Sequence, residues 1–315
     1  MISPKTALLP WVVLLTLLGP ACGGSPSSSS SSSGASSSTS AGSVPRFSHV
    51  VLIVEENTSY QDVIGSSAMP YLNSLAKKYA LSTNYFADTH PSIGNYFMIT
   101  TGQIVTNNDT FFGTVSADNL VRQFVKDGKS WKSYAESIPS TGYLGSDSYP
   151  FLKRHVPFSY FSDVKNSRSL ADNIVRFSSF ASDLSAGNLP NFSFITPNAE
   201  HDAHDCPGGG STCPLSDKLA TADNWLKTNI AQLISSSTFS DTLLIITFDE
   251  GIGSDTAHGG GHVATVIISP KVKAGYRGSG LYQHQSLERL IGEALRLSAV
   301  PGAGSSAPSM SEFFR

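Results

Sequence analysis

Two pairs of adjacent polar residues in this sequence have the side chains that bind cations. Glu56 and Asn57 follow the apolar run HVVLIVE, and Asp249 and Glu250 follow a second run, TLLIITF. Carboxylate and amide oxygens are the ligands that hard divalent cations prefer in proteins. The first chemistry indicated by these residue types is therefore cation binding.

Ser92 adds a nucleophile that a cation could activate. It follows an extended-looking stretch, 82–87, and the residues DTHP, and it precedes a helical pattern over 93–102. Amides at a helix N-terminus favour an anion such as phosphate, but a serine hydroxyl needs a base or a metal to become nucleophilic. No G-x-S-x-G elbow surrounds Ser92, which disfavours a hydrolase triad. A serine attacking phosphorus beside a cation is the simplest assembly of these residues.

Histidines in neighbouring segments could protonate a leaving group. His204, in HDAHDC, is a candidate general acid or metal ligand, with a structural, hydrogen-bonded role as the alternative. His90 lies just before Pro91-Ser92 and either joins the site or orients a neighbour. His258 and His262 flank three glycines. This spacing is not that of a helical pair, so we interpret the segment as a flexible loop.

The cysteines of the body, Cys206 and Cys213, enclose the short loop PGGGST. In an exported protein a disulfide between them is favoured, because disulfides persist outside the cytosol. A zinc site that also uses His201 and His204 is the alternative.

The N-terminus predicts export. Residues 8–18 form an apolar run, too short to span a bilayer, that follows one positive charge at Lys5. Residues 1–21 therefore read as a signal peptide, and the sequence LGPAC, ending at Cys22, resembles the lipidation site of bacterial lipoproteins. We expect a lipoprotein anchored to the membrane through Cys22. Cleavage after Ala21, giving a secreted or periplasmic protein, is the alternative.

Residues 22–45 are mostly serine and predict a flexible tether, because such a segment cannot bury enough apolar surface to fold. Lys5 is the one charged residue before position 46, although the chain of 315 residues has a net charge of −3. The acids are therefore concentrated in residues 46–315, which are long enough for a sizeable core. The near-neutral balance argues against nucleic-acid binding.

Alternating strand and helix patterns predict how the polar residues are positioned. Continuous β-rich runs, typical of strands covered on both faces, occupy residues 49–55, 192–196, 242–248 and 263–269. Amphipathic helical patterns occupy residues 69–80, 117–127, 217–234 and 285–297. This alternation predicts an α/β fold with a largely parallel sheet between helices. Ligands gather beyond the carboxyl ends of such strands, where the polar clusters follow.

Eight segments of the chain, in order, carry a resemblance to a known family: VVLIVEENTSYQDVIG (50–65), THPSIGNYFMITTG (89–102), RHVPF (154–158), ITPNAEHDAHDC (195–206), DNWL (223–226), FDEG (248–251), VIISPKVKAG (266–275) and YQHQSLERLI (282–291). They resemble the bacterial phosphoesterase family of secreted acid phosphatases and phosphatidylcholine-type phospholipases C. Within it, the chain is most similar to small exported acid phosphatases. The likeness spans residues 47–300, nearly all of an expected catalytic domain at 46–315.

The resemblance implies an alkaline-phosphatase-like three-layer α/β/α sandwich and a phosphoserine intermediate on Ser92. It also implies that Asn95 is the amide that holds the phosphate. The metal-binding positions that it implies are Glu56, Asn57, Ser92, Asp249 and Glu250. Residues matching further motifs around the substrate are His155, Asp202, His204, Asp205 and His284. Gly94 stands where proline is usual and His201 where asparagine is usual, so no role is carried to His201.

Our leading hypothesis is metal-dependent hydrolysis of phosphate monoesters, the acid phosphatase reaction, on a small phosphoester or a phospholipid headgroup. A phospholipase C-type phosphodiesterase is the alternative from the same family. A non-catalytic surface lipoprotein on a degenerate phosphatase scaffold is the alternative from another class. Oxygen ligands suit Mg²⁺, Mn²⁺ or Ca²⁺, while a histidine ligand would allow Zn²⁺. One ion or two, and the oligomeric state, are left open by the sequence.

Overall fold

The computed structural model describes residues 42–210 and 212–315. Its strands, in chain order, are β1 (His49–Glu55), β2 (Ala80–Ser82), β3 (Tyr85–Phe86), β4 (Trp131–Ala135), β5 (Ile174–Arg176), β6 (Phe192–Thr196), β7 (Thr242–Phe248), β8 (Thr265–Ile268), β9 (Tyr276–Gly278) and β10 (Tyr282–Gln283). Eight of them form one sheet in the order β5-β4-β6-β1-β7-β8-β2-β9, and β10 pairs with β3.

Helices cover this sheet. In chain order they are α1 (Tyr60–Val63), α2 (Pro70–Lys78), α3 (Ile93–Thr101), α4 (Leu120–Lys126), α5 (Ser162–Lys165), α6 (Arg168–Ala171), α7 (Ser179–Ser185), α8 (Leu215–Ser235) and α9 (His284–Leu295). Helix α3 packs against α9, and α2 packs against α8. The predicted α/β class, with a mostly parallel central sheet flanked by helices, is confirmed.

The central strands are continuous apolar runs because both of their faces are covered. Residues 50–54 of β1 have no exposed surface, and every residue of β7 is buried. Both strands have the predicted bounds, as does β6. Strand β1 is parallel to β6 and β7, with Ile53 beside Ile195 and Glu55 beside Phe248. The carboxyl ends of these three strands therefore meet at one edge of the sheet.

The predicted strand 263–269 is present as the shorter β8, but it runs antiparallel to β7 and to β2. A parallel neighbour of β7 would need a connection that crosses the sheet, usually through a helix. The 249–264 connection instead contains one short 3₁₀ turn, Ala257–Gly259, and returns along the same edge. This connection keeps the residues after β7 at the edge where the polar clusters lie.

The predicted helices 69–80, 117–127, 217–234 and 285–297 correspond to α2, α4, α8 and α9, with end shifts of a few residues. The stripe of α9 is buried as expected, including Leu287, Leu290 and Ile291. The stretch 82–87 divides between the end of β2 and the short strand β3.

The predicted signal peptide, Cys22 and most of the tether lie outside the described residues. Val44 is buried and its carbonyl accepts a hydrogen bond from Arg296, so packing starts just before the predicted boundary at residue 46. Within the described ranges, no helix has the length and apolar character needed to cross a membrane.

Candidate active site

Backbone hydrogen bonds bring the loops after β1, β6 and β7 together. The Glu56 amide donates to the Asp202 carbonyl at 2.7 Å, and the Asp249 amide donates to the Glu55 carbonyl at 2.9 Å. The Asn57 amide donates to Asp249 Oδ1 at 3.0 Å. Asn57 has a φ of 46°, in the left-handed region that asparagine tolerates better than most residues. The predicted convergence of acids and amides at one edge is therefore present.

Ser92 joins these residues from the N-terminus of α3. It is 2% exposed, and its hydroxyl donates to Glu56 Oε1 at 3.0 Å. His155 Nε2 lies 3.2 Å from the same oxygen and also reaches Asp202, with Nδ1 at 3.6 Å from Oδ2. The ring of His155 stacks on Tyr96 at 4.9 Å between centroids. A single carboxylate oxygen thus contacts both the candidate nucleophile and a buried histidine.

The same cluster can hold a metal ion. Glu56, His155 and Asp249 offer ligand atoms that all lie within 4.8 Å of one another. Two buried oxygens, Glu56 Oε2 and Asp249 Oδ2, have no hydrogen-bond partner among the described residues. Because unpartnered buried carboxylate oxygens are unfavourable, their presence fits a site completed by a cation. The sequence had placed His155 beside the substrate, whereas the geometry also makes it a candidate ligand.

Burial, and then the charges of neighbouring groups, shift the pKa values of these carboxyls. Burial, with the charges of Asp249 and Glu56, raises the pKa of Glu250 to about 10. Burial and the charge of Glu56 raise the pKa of Asp249 well above its usual range. Burial acts in the same direction on Glu56, but the charge and hydrogen bond of His155, with other nearby positive groups, lower its pKa to about 2. A divalent cation would offset this repulsion.

His204 and Asp205 lie at the solvent-facing side of the cluster. His204 Nδ1 is 2.7 Å from Asp205 Oδ1 and 3.5 Å from Glu56 Oε2, and its side chain is 37% exposed. Its backbone amide donates to the buried Asp202. His204, a predicted general acid or metal ligand, therefore contacts the site and is also accessible to solvent.

His90 is hydrogen-bonded through Nε2, and its Nδ1 faces Glu250. Nδ1 lies 3.0 Å from Glu250 Oε2, and Nε2 lies 2.8 Å from the Asp255 carbonyl. The Asp255 carbonyl therefore anchors the ring with Nδ1 beside Glu250. Whether His90 orients a neighbour or acts on the substrate stays a prediction.

Asn95 binds the backbone of the loop that precedes Ser92. Its Oδ1 accepts hydrogen bonds from the Asp88 and Thr89 amides, at 3.0 and 3.2 Å, and its Nδ2 donates to the Thr89 carbonyl at 2.8 Å. Asn95 therefore fixes the loop before Ser92 and, among the described residues, keeps one Nδ2 hydrogen free. Its expected role of holding phosphate stays a prediction.

His284 is fully buried behind the site. Its Nε2 lies 2.6 Å from the Asp249 carbonyl, and its Nδ1 lies 3.0 Å from the Tyr85 hydroxyl. Burial lowers the pKa of His284 to about 4, so the ring is neutral at neutral pH. Its contacts position the backbone of Asp249 rather than a substrate.

Cys206 and Cys213 are joined by a disulfide. This bond leaves no thiolate for the zinc alternative, and His201 instead contacts Glu136, with Nδ1 at 2.9 Å from Oε2.

The His258–His262 segment has a packing role. His262 stacks on Tyr60 at 4.3 Å.

With this geometry in place, a family model settles the assignment. The model of the Phosphoesterase family matches residues 66–298. The chain belongs to the Phosphoesterase family. The resemblance carried by the eight segments is confirmed, and the protein is a phosphoric ester hydrolase.

Curated relatives of this phosphoesterase include a phosphatidylinositol-3-phosphatase of Mycobacterium tuberculosis. It is 32% identical over 238 residues, which cover 75% of this chain and 73% of the relative. A probable acid phosphatase of Kluyveromyces lactis is 31% identical over 65% of this chain and 48% of its own length. The chain thus spans about half the length of this fungal relative.

Among solved structures, the fold is similar to that of a protein in the alkaline phosphatase superfamily from Vibrio parahaemolyticus. The TM-score is 0.58 and the identity 14%, over 85% of this chain and 72% of the other. At this identity the likeness shows the fold, and it agrees with the alkaline-phosphatase-like architecture implied by the motifs.

Two residues of the phosphoesterase site were missed by sequence reasoning. Arg154 Nη2 lies 4.0 Å from Glu56 Oε1, and its Nε lies 3.6 Å from Asp109 Oδ2. Asp109 Oδ1 also accepts a hydrogen bond from the Ile93 amide at 3.1 Å. Arg154 precedes His155 in the motif RHVPF, which was a usable signal. Asp109 lies in the polar run NNDT, which offers none.

Proposed function

We propose that the protein hydrolyses phosphate monoesters with the aid of a divalent cation, through a phosphoserine on Ser92. The observation that carries the proposal is the position of the Ser92 hydroxyl. It is buried at a helix N-terminus and lies 3.0 Å from Glu56, within a cluster suited to a metal. Relatives named acid phosphatase support a monoester as the substrate.

Glu56, Asn57, Asp249 and Glu250 would hold the cation together with the Ser92 oxygen, and His155 is an additional candidate ligand. When bound, the cation supplies positive charge that stabilises developing negative charge on the reacting oxygens. Glu56 remains ionised, because its pKa is lowered to about 2 by His155 against the effect of burial. It therefore orients the serine hydroxyl as an acceptor but is a weak base.

In the first step the Ser92 oxygen forms a bond to phosphorus while the bond from phosphorus to the alcohol oxygen breaks, and the serine proton passes along its hydrogen bond to Glu56 Oε1. We assign His204 as the acid that protonates the departing oxygen. With Nδ1 held by Asp205 at 2.7 Å, Nε2 is the nitrogen available to a leaving group. In the second step water gives a proton to His204 and its oxygen bonds to phosphorus, while the bond from phosphorus to the Ser92 oxygen breaks. Glu56 returns the proton to that oxygen, which restores the serine hydroxyl and releases inorganic phosphate.

The direct test is Ser92→Ala with p-nitrophenyl phosphate as the substrate. We expect kcat to fall by at least about 10³-fold, because alanine at position 92 cannot form the covalent intermediate. Ser159→Ala is the matched control. It removes an equally buried hydroxyl that donates to the Val156 carbonyl, outside the site. Full turnover by folded Ser92→Ala would refute the mechanism.

A comparison of bis-p-nitrophenyl phosphate with the monoester, before and after chelation, tests the substrate class and the cation. We expect faster monoester turnover, loss of activity on chelation and recovery with one added cation. Faster diester turnover would favour the phospholipase C-type alternative. Cation binding without turnover of either ester would favour the alternative of a non-catalytic surface lipoprotein.

We also propose that residues 1–21 direct export and that Cys22 is lipidated, so that the domain acts at a membrane surface. The support is the apolar run 8–18 and the sequence LGPAC that ends at Cys22.

A further inference from the structure

Arg154 is the one lysine or arginine that pairs with a carboxylate of the candidate site, within residues 42–210 and 212–315. Its Nη2 and the Ser92 hydroxyl both lie within 4.0 Å of Glu56 Oε1. A phosphoryl group on Ser92 would therefore form within reach of the guanidinium. Arginine presents several N–H donors in a plane that matches the oxygens of phosphate.

Asp109 occupies the groups that such a phosphoryl would need. One of its oxygens accepts from the Ile93 amide, the first amide after Ser92, and the other lies 3.6 Å from Arg154 Nε. Helix N-terminal amides and guanidinium groups are the common phosphate donors of proteins. A carboxylate of this chain thus already accepts a hydrogen bond from the Ile93 amide and forms an ion pair with the Arg154 guanidinium.

The loop that carries Asp109 lies at the surface of the protein. The side chain of Asp109 is 31% exposed, and most of residues 103–112 are exposed. The loop passes over the start of α3, where a Cβ on Gly94 would lie 2.4 Å from Asn107 Oδ1. Glycine at position 94, where the resemblance leads one to expect proline, therefore gives this loop its place beside Ser92.

We propose that Arg154 is a substrate-binding residue that holds the non-bridging oxygens of the phosphoryl group, and that Asp109 is its placeholder. In the substrate-free enzyme the Asp109 carboxylate binds the guanidinium and the Ile93 amide, and the phosphate displaces it. This inference rests on the proposed function, because it takes Ser92 as the atom to which phosphorus is bound.

The second carboxylate on Arg154 provides a matched control. Asp147 Oδ2 lies 3.6 Å from Nη1, the same separation that Asp109 has from Nε. The other oxygen of Asp147 accepts from the Lys153 amide, not from α3. Asp109→Asn and Asp147→Asn therefore remove equal charges at equal distances from the guanidinium, but only the first vacates the Ile93 amide.

The test measures the binding of inorganic phosphate by calorimetry, with Mg²⁺ or Mn²⁺ added, to the full chain carrying Ser92→Ala. In this background we expect Arg154→Gln to weaken phosphate binding by about 10- to 100-fold, and Arg154→Lys by less. Asp109→Asn should tighten binding by about two- to fivefold, and by more than Asp147→Asn does. Hydrogen exchange of residues 103–113 should become faster when phosphate binds, since Asp109 is released.

Unchanged phosphate affinity in Arg154→Gln and Arg154→Lys would overturn the role of Arg154, as would the absence of measurable phosphate binding by the parent chain. Equal effects of Asp109→Asn and Asp147→Asn, or slower exchange of residues 103–113 with phosphate, would overturn the placeholder. Binding is measured without turnover. A failure of the phosphoserine mechanism, seen as full turnover in Ser92→Ala, is therefore distinguishable from a failure here.

Discussion

The glycine run between His258 and His262 is predicted to control the position of the nucleophile. Gly260 has a φ of −125°, which any residue can adopt, so a side chain at this position is limited by space alone. A Cβ on Gly260 would lie 2.6 Å from the Thr89 carbonyl oxygen and 2.7 Å from the Thr89 amide nitrogen. Thr89 belongs to the loop that leads directly to Ser92.

To accommodate this Cβ, either the Thr89 loop or the glycine segment must move, and the distances give the size of that movement. Ordinary contact begins near 3.4 Å, so the loop must shift by about 0.8 Å or the glycine segment must retreat by as much. Asn95 binds the backbone of Asp88 and Thr89 and would pass the shift to α3. A misplacement near 1 Å costs about 100-fold in rate, and overpacking costs about 1–3 kcal/mol of stability.

We therefore expect Gly260→Ala to lower kcat for p-nitrophenyl phosphate by about 10- to 100-fold while the protein still folds. Gly253→Ala is the matched control, because Gly253 lies in the same connection and a Cβ there meets nothing within 4 Å. Circular dichroism and thermal unfolding report whether each variant is folded. Wild-type kcat in folded Gly260→Ala, or an equal loss in Gly253→Ala, would refute the reasoning.

Three further predictions concern other parts of the chain. Burial, with the charge of Asp118, raises the pKa of Glu288 well above its usual range. As pH rises above about 4.5, this carboxyl therefore ionises in the unfolded state but keeps its proton in the folded state. Glu288→Gln should therefore increase the free energy of unfolding at pH 8 by about 1–3 kcal/mol and have less effect at pH 4; an equal effect at both pH values would contradict this. Glu250, with a pKa raised to about 10 by burial and by Asp249 and Glu56, is protonated at pH 7, so cation binding should release protons and weaken as pH falls. Calorimetry in buffers of different ionisation enthalpy measures this proton release. If cation binding released no protons, that result would count against Glu250 as a ligand. Cys22→Ser should abolish fatty-acid labelling of the expressed protein and release it from membranes, whereas labelling that survives this change would exclude Cys22 as the lipidation site.

The strand ends of the site could be predicted because their signal is local. The runs before Glu56 and Asp249 each contain five consecutive or nearly consecutive apolar residues, which predicts strands covered on both faces, and polar residues follow both runs directly. The rule that ligands gather at the carboxyl edge then brings these residues together without knowledge of the strand order. The direction of β8 could not be predicted in this way, because an apolar run carries no information on its partner's orientation.

The roles of individual side chains depended on contacts between distant segments. His90 and Asn95 adjoin Ser92 in sequence, and proximity suggested that they act on the substrate. In the structure, the Asp255 carbonyl anchors His90 with Nδ1 beside Glu250, and the hydrogen bonds of Asn95 hold the Asp88–Thr89 loop. Arg154 and Asp109 lie far apart in sequence, and their pairing follows from a loop path that no local pattern specifies.

The adjacent acids Glu55 and Glu56 show why residue type alone does not define a site. Successive side chains of a strand point to opposite faces of a sheet. Burial, together with the charges of Glu136 and Asp223, raises the pKa of Glu55, so this carboxyl is held neutral away from Ser92. Glu56 is just as buried, but His155 and Arg154 keep it ionised beneath the serine hydroxyl. The neighbours of each carboxyl, rather than its residue type, therefore give these two adjacent acids opposite pKa shifts.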